Sequence, residues 1–93
     1  MATSVELEAI VLNSENIQMD VITDVKIIRI NSAEYNLLIM KDYWPVVGEI
    51  NGKVTIEADE NYAYENINGF FTLSHNVFHL IIKETIGESN EQA

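Results

Sequence analysis

Apolar and polar residues alternate along much of this chain, and the period is two. Val5, Leu7, Ala9 and Val11 fall at every second position, with Glu6, Glu8 and Ile10 between them, which predicts a half-buried strand. Asn13-Ser14-Glu15-Asn16 is a turn cluster. Ile17, Met19 and Val21 then alternate with Gln18 and Asp20, a second strand that Thr23-Asp24 interrupts. In residues 25–30, Ile27, Ile28 and Ile30 spread over both faces. A strand apolar on both faces is either sandwiched or lies at an interface.

Residues 31–34 read as the next turn, and residues 35–40 as a strongly apolar strand broken by Lys41-Asp42. Pro45 cannot donate to a ladder, so it suits the first position of a strand over 45–50. Asn51-Gly52 between two apolar runs predicts a type I′ hairpin turn, with 53–57 as its second arm. Ala58-Asp59-Glu60-Asn61 is an acidic loop, and residues 62–67 alternate weakly. Asn68-Gly69 reads as another turn, 70–73 as a short strand, Ser74-His75-Asn76 as a turn, and 77–83 as the closing strand. Turns this frequent predict an all-β protein, a flattened sandwich or barrel of about eight to ten short, mostly antiparallel strands. The domain is expected over residues 1–86, followed by a polar tail, 87–93, that frays.

Composition narrows the function classes. With 93 residues there is room for one core. The net charge is −10, and only Lys26, Arg29, Lys41, Lys53 and Lys83 are basic. Such a chain repels phosphate backbones and anionic headgroups, which disfavours nucleic acid and direct membrane docking and favours a basic protein partner. The bland counterpart is that acidity serves solubility. Without cysteine there are no disulfides, zinc-thiolate sites or thiol catalysis. No basic leader precedes an apolar run, and no run approaches the ~20 apolar residues of a spanning helix. A cytoplasmic protein is expected, with any membrane association made through another subunit.

Candidate chemistry is sparse. His75 and His79 invite a metal, but no third ligand stands at a regular spacing, so a turn histidine and a strand histidine are the simpler account. Asp59, Glu60 and Glu65 lack the alternating ligands of a calcium loop and read as solvated charge. Gly48, Gly52, Gly69 and Gly87 are too dispersed for a phosphate-binding loop. Nothing in the residues supports an enzyme, a cofactor or a nucleotide.

The stretch NSAEYNLLIMKDYWPVVGEINGKVTI followed by NINGFFTLSHNVFHLII resembles the β-sandwich domain of the epsilon subunit of F-type ATP synthases. Pro45 matches the second proline of that family's strand–Pro-Gly-His–proline element, with Lys41-Asp42-Tyr43 standing where Pro-Gly-His would be. Asn51-Gly52 matches the glycine turn before the next strand. Gly69 keeps one of two family glycines and Phe70 replaces the other. The match runs collinearly from Val5 to Glu84, upstream in length and polarity only. The sequence ends where the family's C-terminal helical hairpin would begin, so inhibition of hydrolysis and ATP binding are not carried over.

The resemblance implies a non-catalytic central-stalk subunit that couples a catalytic head to a membrane rotor through protein contacts. Its partners would be a gamma-like subunit and a ring of c subunits. Tyr35-Asn36 and the turn from Lys41 to Tyr43 and Trp44 would face the ring. The surplus apolar faces of 25–30 and 77–82 would dock the gamma-like subunit, with Ile28 and Phe78 as buried contacts and His79 facing the partner. For Trp44 the simpler account is a cap on the core beside Pro45. The alternative function is a stand-alone binding module for carbohydrate or peptide, which would expose a row among Tyr35, Tyr43, Trp44, Tyr62 and Tyr64.

Overall fold

The structure, a computed structural model, describes residues 6–85. Val5 and the expected tail, 87–93, lie outside the described residues, as does the last residue of the expected domain. Seven strands follow one another: β1 (Leu7–Asn13), β2 (Gln18–Val25), β3 (Ile27–Ser32), β4 (Asn36–Ile39), β5 (Val46–Glu57), β6 (Asn61–Ser74) and β7 (Val77–Thr85). They form one sheet in the order β2-β1-β7-β6-β5-β3-β4. The β1–β7 pair is parallel, and every other pair is antiparallel. The fold class is therefore all-β, as the alternation predicts.

The strand count is seven because two expected turns are not turns. Asn51-Gly52 and Asn68-Gly69 lie inside β5 and β6, and no described glycine has a positive φ, which a type I′ turn requires. These glycines serve close backbone approach instead. A Cβ at Gly52 would stand 2.2 Å from the Asn31 carbonyl oxygen, and one at Gly69 2.0 Å from that of Ile81. The type I′ geometry falls at His75 (φ 52°) and Asn76 (φ 64°), the two residues joining β6 to β7. The acidic loop is a connection, with the Ala58 N–H bonded to the Glu60 carbonyl at 3.0 Å.

Long β5 and β6 let one sheet become two layers. β3 pairs with residues 52–57 of β5, whereas β7 pairs with residues 67–74 of β6, with a register shift between Asn68 and Gly69. Between those halves β6 carries a bulge, with Asn66 at φ 56° taking up the extra residue. The first layer is β2, β1, β7, residues 67–74 and residues 46–51. The second is β4, β3, residues 52–57 and residues 61–66. The Tyr64 hydroxyl donates to Asp20 Oδ2 at 3.1 Å, so the second-layer half of β6 reaches across to β2, which is not its neighbour in the sheet.

Between the layers lies one apolar cluster made of alternate residues from every strand. Leu7, Ala9 and Val11 meet Phe78, Leu80 and Ile82 from β7, and Ile28, Ile30, Val54 and Ile56 come from the second layer. The Phe71 and Phe78 rings stack at 5.5 Å between centroids.

Candidate protein-interaction surface

Inward parity fixes outward parity, because successive side chains leave a strand on opposite faces. The outer face of the second layer is mainly polar. Arg29 on β3 donates to Glu57 on β5 at 2.9 Å, and Lys53 lies 3.6 Å from Glu65 on β6. Asn31, Thr55 and Ala63 complete its middle, and Leu38, paired with Arg29 and 43% exposed, is its large apolar residue toward the β4 edge.

The outer face of the first layer is different. Met19 is paired with Leu12, Leu12 with Ile81, and Ile81 with Phe70, an apolar row crossing four strands. One step along the strands, Val21 is paired with Ile10, Ile10 with His79, His79 with Thr72, and Thr72 with Val47. Ile10, Leu12 and Ile81 are half-buried among these neighbours. Met19 is 62% exposed, Val21 55%, Val47 72% and Phe70 43%, although none belongs to the core. With His79 and Thr72 in the middle of the second row, the two rows give a mainly apolar surface, and Leu38, Met40 and Trp44 are exposed elsewhere.

At one end of the sandwich a loop is held rigidly. Asn76, 8% exposed, donates from Nδ2 to Asp42 Oδ1 at 3.0 Å. Its Oδ1 accepts the Asp42 backbone N–H at 2.6 Å, and its carbonyl accepts the Glu8 N–H at 2.9 Å. This fastens the β4–β5 loop to the β6–β7 turn and to β1. Lys41 Nζ lies 3.4 Å from Glu6 Oε2 beside it. The loop presents Trp44, which is 81% exposed and so does not cap the core.

Several expected interface residues fall elsewhere. Ile28 and Phe78 are fully buried in the chain's own core, because their parity points between the layers. They are not available to a partner. The surplus apolar residues of 77–82 are the alternate ones, Val77 and Ile81, with His79 exposed between them. In 25–30 Lys26 separates two strands, and Ile27 alone faces outward on the second layer. Tyr35-Asn36 and Lys41 to Trp44 do not form one end, since Asn36 opens β4 and Lys41 follows its last residue, Ile39, so the two regions lie at opposite ends of that strand. Asn36 is exposed; Tyr35 and Tyr43 pack partly against the core.

The tyrosines form no exposed row. Tyr62 and Tyr64 turn inward and pack on the core. The Tyr35 hydroxyl donates to the Glu49 carbonyl at 2.5 Å; burial, reinforced by the Glu49 carboxylate, pushes its phenol above the ordinary range. His75 Nδ1 lies 2.9 Å from the Ser74 hydroxyl in the β6–β7 turn. Among the described residues no three His, Asp or Glu side chains gather as metal ligands.

The residues missed by sequence reasoning are Ile10, Leu12, Met19, Val21, Val47 and Phe70, while Ile81 is covered only as part of the run 77–82. A signal existed in Ile10, which breaks the polar parity of its strand. In comparison with known proteins, no family model and no curated protein matches the chain.

Proposed function

We propose that this domain is a non-catalytic, epsilon-like coupling subunit of an F-type ATPase-like complex, acting by protein–protein contact. The observation that carries this reading is the apolar outer face of the first layer. Burial within the chain does not require it, and the largest exposed apolar patch of a domain is often its interaction site. In this reading the face docks a gamma-like subunit, and the fastened β4–β5 loop with Trp44 is turned toward a ring of c subunits. A sandwich stapled by Asn76 transmits torque as a rigid body, and no reacting group is needed for that work.

The test is site-specific photo-crosslinking in the native host. A crosslinker at His79 should capture a gamma-like ATPase subunit, whereas one at Thr55, on the polar face, should capture none. Recovery of no ATPase subunit from position 79 or position 44 would overturn the reading.

A further inference from the structure

We infer that the outer face of the first layer receives a basic amphipathic helix from another protein, lying across the strands, and is not a self-association surface. The surface and the chemistry of its occupant follow from the burial pattern and the charges; only the identity of the partner rests on the coupling function proposed above.

Charge decides between the occupants. The strands of the first layer carry Glu8, Asp24, Glu49 and Glu84 against one basic residue, Lys83, with Asp20 set apart because it faces Tyr64 of the second layer. Glu8 borders the apolar rows beside Val77, and Glu49 borders them beside Phe70. Arg29, Lys41 and Lys53 are engaged with Glu57, Glu6 and Glu65. A second copy would set carboxylates against carboxylates between two chains of net charge −10. An apolar stripe flanked by lysine or arginine complements both the rows and their rim.

Geometry specifies the segment. Five strands at ~4.8 Å spacing give a track of about 19 Å, the length of roughly 13 helical residues. The two rows are two residues apart along the strands, about 7 Å, and fit under the apolar stripe of one helix. Ile17 extends the track beyond Met19. It is 86% exposed and sits at φ 54°, a conformation that costs a β-branched residue and is offset by no core contact.

The inference is tested with two synthetic 14-residue helical peptides sharing one leucine face, one flanked by lysine and one by glutamate. Each is titrated into the isotopically labelled full chain and followed by amide shifts. The lysine peptide should move Ile10, Met19, Val21, His79 and Ile81 and leave Arg29 and Thr55 unmoved. Val21→Glu should weaken it at least about tenfold with an unchanged circular dichroism spectrum. Glu8→Lys and Glu49→Lys should each weaken it about two- to fivefold. Equal binding of the glutamate peptide, shifts confined to the polar face, or a dimer in sedimentation that Val21→Glu dissociates would overturn it. If a gamma-like subunit crosslinks only through position 44 and the lysine peptide does not bind, this surface is wrong and the coupling function stands. If the peptide binds and no ATPase subunit is captured anywhere, the reverse holds.

Discussion

Asn76 and Asp42 hold each other reciprocally. The Asn76 amide donates to the Asp42 carboxylate at 3.0 Å and accepts the Asp42 backbone N–H at 2.6 Å. Both residues sit at positive φ, 64° and 65°, where Asn and Asp are better tolerated than other side chains. Asn76→Ala removes both bonds and leaves alanine in a left-handed conformation. It should cost about 2–3 kcal/mol in urea unfolding. Asn76→Gly keeps the backbone conformation and should cost about 1 kcal/mol less than alanine. Equal losses for the two variants would show that backbone conformation contributes nothing there.

The glycines of β5 and β6 should rank by what a methyl group would strike. At Gly52 and Gly69 it meets carbonyl oxygens, which cannot move without breaking a ladder. At Gly48 it meets the edge of the Phe71 ring at 2.9 Å and the Tyr35 hydroxyl at 3.1 Å, which can turn aside. Gly52→Ala and Gly69→Ala should each destabilise by about 3 kcal/mol or more, and Gly48→Ala by about 1 kcal/mol. Denaturant midpoints check the order; a Gly48 variant worse than the other two would contradict it.

Stability should fall at alkaline pH. Burial, then the Asp20 charge and hydrogen bond, hold the Tyr64 phenol well above its ordinary range. Its folded pKa thus exceeds the unfolded value near 10, so the unfolded state loses the proton first. The contribution is complete below about pH 10 and is lost as pH rises through the folded value. Tyr35 acts in the same direction. The melting temperature should hold up to about pH 10 and drop as the pH is raised beyond it, and Tyr64→Phe should shrink that drop. An unchanged drop in Tyr64→Phe would assign it to other groups.

Ile17 offers the opposite sign. At φ 54° and 86% exposed, it contributes strain and no core burial. Ile17→Gly should stabilise the isolated domain by about 0.5–1 kcal/mol, with the gain limited by the greater freedom of glycine in the unfolded chain. Thermal melts measure this directly, and a destabilised variant would show that the side chain packs after all.

Strand existence was legible in the sequence because Leu7, Ala9 and Val11, or Phe78, Leu80 and Ile82, keep the period that a half-buried strand must keep. The corners were not. Asn51-Gly52 satisfies a tight turn and a close strand crossing equally well, since both want a small residue, and only the position of Asn31 decides. The interaction surface was legible only as a surplus. An isoleucine at position 81 or 82 looks the same in sequence, and the register against β1 and β6 determines which one faces out. Trp44 could be recognised as a candidate but not as exposed, because its setting depends on the distant Asn76.

Phe70 and Phe78 provide the sharpest test of that parity. They lie on adjacent strands, yet Phe78 is fully buried between the layers and Phe70 is 43% exposed on the outer face. Phe78→Ala opens a cavity in a packed core and should cost about 3–5 kcal/mol, enough to unfold much of a domain this small. Phe70→Ala removes a ring that is already half in water and should cost about 1 kcal/mol or less. Partner capture should divide the other way. With a crosslinker at position 79, Phe70→Ala should lose most of the captured partner while its urea midpoint stays close to that of the parent. Any loss of capture by Phe78→Ala should track its loss of folded protein. If Phe70→Ala is captured as well as the parent, the apolar rows are not where the partner sits.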